Sequence, residues 1–380
     1  MKVGILTFHF ALNYGAVFQA YALKKALLNM GYDSHVINYR PENMRTAWDF
    51  KAYCNLRKNG APNRVKYNFI KEIFLYLLRK VDYIKFRIFE YNDLKLKYSL
   101  FNEFVDRYLC DSVIIEDKSE LHELKEYYAI ICGSDQIWNP NITNGFDSVY
   151  FGGDMGKGIK KISYAASVGD VGIITKNNKI ETLFLSLVKN LDYVSVRERN
   201  LYEYLSSNNI KAEWVSDPTL LLSSDDYNEI IETRKVEGDY IFVYCLTYDE
   251  KLFSLAQKIA NDNHWRIISV SGTKKTKNNS LHNVTPGDFF ALLKYAKMVV
   301  TNSFHGVALS IVFHKDFYTV LPPKRKDRIQ SLLNQSDLLD RVVNNVGENV
   351  NCDSVDFTKA DDNISIQRRE SQNFLRDVLS

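Results

Sequence analysis

Met298–Phe313 reads MVVTNSFHGVALSIVF. Met298 to Thr301 is an apolar run of strand length, Asn302-Ser303-Phe304-His305 is a polar turn, and Gly306 opens an apolar segment of helical character. A strand feeding a helix through a short polar turn is the repeating unit of an α/β fold. It sets a histidine, a hydroxyl and a glycine at a helix N-terminus, beyond the carboxyl end of a strand. Unsatisfied backbone N–H groups and the positive end of the helix dipole make such a place receptive to phosphate or carboxylate. In open α/β sheets ligands sit there. The competing reading is a core histidine capped by its own turn.

Working outward, the same alternation recurs. Val3 to Phe8 reads as a strand and Asn13-Tyr14-Gly15-Ala16 as a turn. Val17 to Met30 has helical periodicity and stops at Gly31, a natural residue after a helix end. Ser34 to Tyr39 is a second strand, closed by Pro41, and Tyr128 to Cys132, Lys161 to Ala166 and Tyr193 to Val196 are further strands. From Tyr240 the order is strand to Cys245, helix Glu250 to Asn261, strand Arg266 to Val270. Thr285 then caps a helix with Pro286 at its first position, running to Ala296. After the histidine turn come a short strand, Phe317 to Val320, and a helix from near Ile329. The alternation implies parallel sheets. Two α/β domains, 1–220 and 221–350, are expected, with a tail 351–380 whose helical piece Ile364 to Leu379 can pack back on the first domain.

One region breaks the pattern. A helical insertion is expected over about 64–110, and its Arg64–Lys97 part carries nine Lys/Arg against four Asp/Glu among many Phe, Tyr, Leu and Ile residues. A basic amphipathic helix can lie on an anionic membrane surface. The alternative is an insertion that packs on the sheet and turns its charges to water.

A chain of 380 residues is comfortable for two domains, and a net charge of +3 is too small to imply nucleic acid. Abundant aromatics, 24 Tyr and 22 Phe, suggest a large aromatic core and a surface able to contact sugars. The five cysteines are scattered and form no CxxC pair, which argues against a disulfide framework and a structural zinc site. The N-terminus lacks a signal-peptide pattern and no run of about 18 apolar residues occurs. A cytoplasmic protein is expected, with no metal and no cofactor.

Beside the histidine turn, three segments could carry chemistry. In Thr7-Phe8-His9 through Asn13-Tyr14-Gly15-Ala16, glycine would let the backbone approach a ligand at a helix N-terminus. Gly133-Ser134-Asp135-Gln136-Ile137-Trp138-Asn139-Pro140 supplies a carboxylate, carboxamides, a hydroxyl and an indole, suited to a polyhydroxylated ligand. It reads equally as a Pro-closed turn with Trp138 plugged into the core. In Ser195-Val196-Arg197-Glu198, the arginine could clamp a carboxylate or phosphate, or could pair with its neighbour at a helix start. Downstream, Pro322-Pro323-Lys324-Arg325-Lys326-Asp327-Arg328 is a cationic loop that could face the same cleft. Walker, nucleophile-elbow, HExxH and EF-hand motifs are missing.

Taken together, TFHFALNYGAVFQAYAL, ICGSDQIWNP, KISYAASVG, the SVRE turn, DPTLLL, and TNSFHG followed by RIQSLL resemble the polysaccharide pyruvyl transferase family. They stand in the family's order from Val3 to Leu333. The resemblance implies two Rossmann-like α/β domains facing a central cleft, similar to GT-B glycosyltransferases. It implies transfer of the pyruvyl group of phosphoenolpyruvate to two hydroxyls of a sugar, giving a pyruvate ketal and phosphate. His305 and Arg197 then become the donor-binding and catalytic pair, with Ser303, Phe304, Gly306, Arg325 and Arg328 around the donor. Asn13, Gly15, Gly133, Ser134, Asp135 and Gln136 fall on the acceptor side by position, with Asp135 the candidate base. The acceptor could be nucleotide-linked, lipid-linked or polymeric. Two other readings stand beside this one: a glycosyltransferase with a nucleotide-sugar donor, and a non-catalytic carbohydrate-binding protein.

Overall fold

The computed structural model describes residues 1–59, 69–110, 112–233, 236–271, 281, 283–322, 326–344 and 354–380, with the backbone alone at 69–73 and 271. The chain opens with β1 (Lys2–Leu6), in which Val3, Ile5 and Leu6 are fully buried. It continues into α1 (Tyr14–Asn29) and β2 (Asp33–Val36). Three helices follow, α2 (Phe50–Asn59), α3 (Phe69–Phe89) and α4 (Tyr91–Tyr108), before β3 (Ala129–Cys132) and β4 (Lys160–Ser163). The strands form one parallel sheet in the order β2-β1-β3-β4, in register Val3↔Ala129, Ile5↔Ile131 and Ile131↔Ile162. Residues 129–132, AIIC, are buried on both faces, the continuous apolar run that a covered parallel strand requires. Beyond lie α5 (Gly172–Thr175), α6 (Asn178–Val188), β5 (Ser195–Val196), α7 (Arg199–Ser207) and β6 (Glu213–Trp214). Single bridges, Ile162↔Tyr193 and Ala166↔Val196, tie the β5-β6 pair to the sheet.

The second domain holds β7 (Tyr240–Cys245), α8 (Glu250–Asn263), β8 (Arg266–Ser271), α9 (Pro286–Tyr295), β9 (Met298–Thr301), α10 (Phe304–Val312), β10 (Phe317–Thr319) and α11 (Lys326–Gln335). Its parallel sheet runs β10-β9-β7-β8. Each of the two α/β units thus has a parallel sheet, as the alternation implies.

Helix α1 lies between the units. Every residue from Tyr14 to Leu23 is buried, so the helix is covered on all sides rather than along one stripe. Its Tyr14 ring stacks on Phe289 with centroids 4.8 Å apart, and Phe18 meets Phe290 at 4.2 Å. Tyr14 donates its hydroxyl to the Val284 carbonyl (2.8 Å). The closing helix α12 (Thr358–Leu379) crosses back to the first domain. There Lys160 Nζ reaches the carbonyl of Ser380 (2.8 Å), Ser371 Oγ accepts from Ser216 N (2.9 Å), and Arg368 donates to the carbonyls of Leu220 and Leu222 (2.8 and 2.9 Å).

The structure moves several expected boundaries. Asn13 is the N-cap of α1, its Oδ1 accepting from Gly15 N (2.9 Å), so the expected turn 13–16 is cap and first helical turn. Gly306 likewise does not open α10. Ser303 caps it, and His305 lies in the first turn. The strand expected to reach Ala166 ends at Ser163, and Ala165 takes a left-handed φ of 51° that no strand continues through. Arg64 to Asn68 of the basic insertion lie outside the described residues. Among the described residues no helix is long and apolar enough to cross a membrane.

Candidate active site

Three segments remote in sequence converge where the two domains meet: the turn after β5, the turn after β6 and the start of α10. The first supplies Arg197 and Glu198, the second Asp217, the third Phe304 and His305.

Asp217 is the hub. It N-caps the short helical turn Pro218–Leu220, with Oδ1 accepting from Thr219 N (3.0 Å) and Thr219 Oγ1 (2.7 Å). Oδ2 takes Arg197 Nη1 at 2.7 Å and lies 3.6 Å from His305 Nε2. Burial by itself would push the carboxyl pKa up. His305 and Arg197 override it and hold the group well below the usual carboxylate range.

Arg197 is almost wholly buried and held by carboxylates. Nε donates to Glu198 Oε1 (3.1 Å), Nη1 to Asp217, and Nη2 lies 4.0 Å from Asp135 Oδ1. Burial opposes its charge, but Glu198, Asp217 and Asp135 more than compensate and raise its pKa above that of an ordinary arginine. Nη2 is buried without a hydrogen-bond partner, as is Glu198 Oε2. The expected anion clamp is therefore largely neutralised within the cluster, and only Nη2, 4.0 Å from Asp135, is left without a hydrogen bond. Glu198 Oε1 also accepts from Ser167 Oγ (2.9 Å) and lies 3.9 Å from Arg328 Nη1. The Phe304 ring lies beside both guanidiniums, at 5.3 Å from Arg197 and 5.9 Å from Arg328.

His305 is fixed from two sides. Opposite Asp217, its ring packs on the first turn of α1 so closely that a Cβ on Gly15 would lie 2.1 Å from Nδ1. The N-termini of α1 and α10 thus meet across the imidazole. Local chemistry sets this geometry. Asn302 pins the turn by accepting from Leu246 N (3.1 Å) and donating to the Thr247 carbonyl (2.9 Å). Ser303 Oγ accepts from Gly306 N (3.4 Å), and a Cβ at Gly306 would lie 2.3 Å from Thr301 Oγ1.

Among the expected site residues, His305, Arg197, Asp135, Phe304, Arg328 and Gly15 come together, with Asn13 as the cap of α1. Ser303 and Gly306 shape the turn. Others serve the backbone. Gly133 has φ 138° and its Cβ would strike the Tyr164 carbonyl at 2.1 Å. Ser134 is buried, its N–H donating to Gln19 Oε1 (3.1 Å) and its carbonyl accepting from Thr7 Oγ1 (3.0 Å). Gln136 is buried against Asn139, accepting from its Nδ2 (2.9 Å). The indole of Trp138 offers no sugar platform: it is fully buried, stacked on Phe151 at 5.2 Å, and donates to the Tyr150 carbonyl (2.8 Å). His9 is likewise internal, its two ring nitrogens 3.1 Å from Asn38 Oδ1 and from the Thr7 carbonyl. Arg325 lies outside the described residues.

Asp217 and Glu198 were not singled out from sequence. The Asp-Pro step of DPTLLL signals a helical cap, which accounts for one carboxylate oxygen of Asp217 but not for the other. A cavity of about 920 Å³ opens beside the cluster, between α7, α11 and α12. Asp170, Arg199, Glu203, Trp214, Gln330 and Gln367 are among its lining residues.

A family model described as polysaccharide pyruvyl transferase matches residues 13–322. No curated protein matches the chain. Among solved structures, UDP-GlcNAc 2-epimerase from Methanocaldococcus jannaschii is 10% identical with a TM-score of 0.47, covering 99% of each chain. The Neisseria meningitidis UDP-GlcNAc 2-epimerase bound to UDP-GlcNAc is 10% identical with a TM-score of 0.44, covering 100% of this chain and 99% of its own. E. coli heptosyltransferase WaaC is 13% identical with a TM-score of 0.38, covering 85% of this chain and 90% of its own.

Proposed function

The chain belongs to the polysaccharide pyruvyl transferase family, and on that premise we propose that it moves the pyruvyl group of phosphoenolpyruvate onto two hydroxyls of a sugar in a polysaccharide or its precursor. One observation carries the reading: an imidazole held between a buried carboxylate and a glycine, where two helix N-termini meet. Phosphoenolpyruvate is a small polyanion, and helix N-termini favour such a ligand through free N–H groups and aligned dipoles. Nη2 of Arg197, which makes no hydrogen bond and lies 4.0 Å from Asp135, is a further candidate donor.

The reaction balances without redox change. A proton adds to C3 of the enolpyruvyl group and C2 becomes electrophilic. One sugar hydroxyl forms a bond to C2, and the C2–O bond to phosphate breaks. The second hydroxyl closes the ketal, so one hydroxyl proton replaces that taken up at C3 and the other leaves with phosphate. His305 is suited to protonate departing phosphate, because an imidazole exchanges protons near neutral pH. Asp217 Oδ2, 3.6 Å from Nε2, faces its ring and orients it. Of the three carboxylates on Arg197, Asp135 has the most exposed side chain, 15% against 9% for Glu198 and 0% for Asp217. This greater exposure supports Asp135 as the candidate to take a proton from the acceptor. The neighbouring cavity, with amides, carboxylates and the Trp214 ring, fits a polyhydroxylated acceptor.

Calorimetric titration of phosphoenolpyruvate, with phosphate release measured in the presence of sugar acceptors, tests this. Wild-type protein should bind saturably, and His305→Ala should stay folded while losing about 10²–10⁴ in rate. Full activity in that variant would remove His305 from the chemistry. Binding of a uridine or cytidine nucleotide in place of phosphoenolpyruvate would indicate a nucleotide-sugar donor instead.

A further inference from the structure

We infer that α3 docks on the surface of an anionic lipid bilayer. Its amphipathicity is inverted: the apolar stripe faces away from the protein. Phe74, Leu77, Leu78, Val81, Ile84 and Ile88 share one helical face and are each at least half exposed. The face toward the protein holds the fully buried Phe86. From Phe74 to Ile88 the stripe is about 21 Å long at the α-helical rise. A water-facing helix of a globular protein has the opposite arrangement.

The charges around the stripe select its partner. Lys80 and Arg87 are exposed along one edge of it, and Lys85 is exposed on the same face as the stripe. The carboxylates of Asp82 and Glu90, which could neutralise them, are both engaged by Arg57, at 2.8 and 3.6 Å. Exposed aromatics, Phe74 and Tyr76 at one end and Phe89 at the other, suit the boundary between headgroups and acyl chains. A second copy of the chain paired along the stripe would set these cations against each other. An anionic headgroup layer neutralises them while the acyl region takes the apolar side chains.

Sedimentation of the full chain with vesicles tests the assignment. It should co-sediment with vesicles of phosphatidylcholine and phosphatidylglycerol, weakly with phosphatidylcholine alone, and less at high salt. Leu77→Gln/Ile84→Gln, both on exposed positions, should keep its circular dichroism and melting temperature but lose roughly tenfold or more in vesicle affinity. Lys80→Gln/Lys85→Gln/Arg87→Gln should lose about a hundredfold, since each basic residue near such a surface contributes about 1 kcal/mol. Absence of wild-type sedimentation, or equal recovery of wild type and both variants, overturns the proposal. So does equal affinity for neutral vesicles. A self-associating protein without vesicle binding, made monomeric by Leu77→Gln/Ile84→Gln, would assign the stripe to a second copy.

Discussion

Gly15 shows how one side chain, or its absence, sets the geometry of the candidate site. The first turn of α1 and the ring of His305 are in contact, and the Cβ of any other residue would lie 2.1 Å from Nδ1. Gly15→Ala therefore should leave α1 intact, alanine being the better helix former, but push the imidazole off Asp217. Misplacement of about 1 Å costs on the order of 10²-fold in rate, and a phosphate-release assay on the folded variant reads it. Unchanged turnover would mean that the position of His305 against α1 is unimportant. His9 illustrates a titratable group spent on structure. Burial, assisted by the Arg40 charge, lowers its pKa from 6.5 to about 4. The unfolded chain thus binds the proton first. The stabilising effect of a neutral His9 is complete above pH 6.5 and is lost as pH falls from there toward 4, by about 3 kcal/mol in all. Urea unfolding across that range should show a steeper loss for wild type than for His9→Gln. Parallel slopes would dismiss His9 as the source.

At the scale of elements, caps and crossing helices carry the site. Asn13 and Ser303 cap the two helices whose N-termini meet at His305, and neither helix starts where apolar periodicity alone would start it. The cap side chain, rather than the first apolar residue, determines which N–H groups are left for a ligand. Helix α12 acts from further away. Arg368 donates to the carbonyls of Leu220 and Leu222, in the segment that Asp217 begins. Arg368→Ala should cost about 2 kcal/mol, as for hydrogen bonds from a charged donor, read as a lowered urea midpoint with an unchanged slope. Activity should fall further than stability requires, because the Asp217 turn loses its anchor. An unaltered midpoint would show that α12 merely covers this segment.

On the scale of the whole molecule, the two sheets share one core. Tyr14 and Phe18 on α1 interlock with Phe289 and Phe290 on α9, so neither domain completes its packing without the other. A single unfolding transition is expected. Tryptophan fluorescence, dominated by the first domain through Trp48, Trp138 and Trp214, should coincide with far-ultraviolet circular dichroism, which reports both domains. Phe289→Ala should lower stability by about 3–5 kcal/mol without splitting the transition. Two separated midpoints would show that the domains fold independently.

Much of this architecture is legible in one dimension because its causes are local. Apolar runs such as Tyr240–Cys245 and Met298–Thr301, and the Thr285-Pro286 helix start, name their own structures: burial on both faces and a capped N–H leave signatures within a few residues. Their alternation sufficed for the parallel α/β class, and the family resemblance for the reaction to be tested. The partners of His305 are not legible in this way. Gly15, Arg197 and Asp217 lie far from it and from one another along the chain, and each has a complete local account as helix start, strand end or cap. The outward face of α3 was also beyond reach, because periodicity gives an apolar face but not its direction. Folding in three dimensions settled both, since electrostatic pairing and burial depend on distance in space, to which neighbours along the chain are blind.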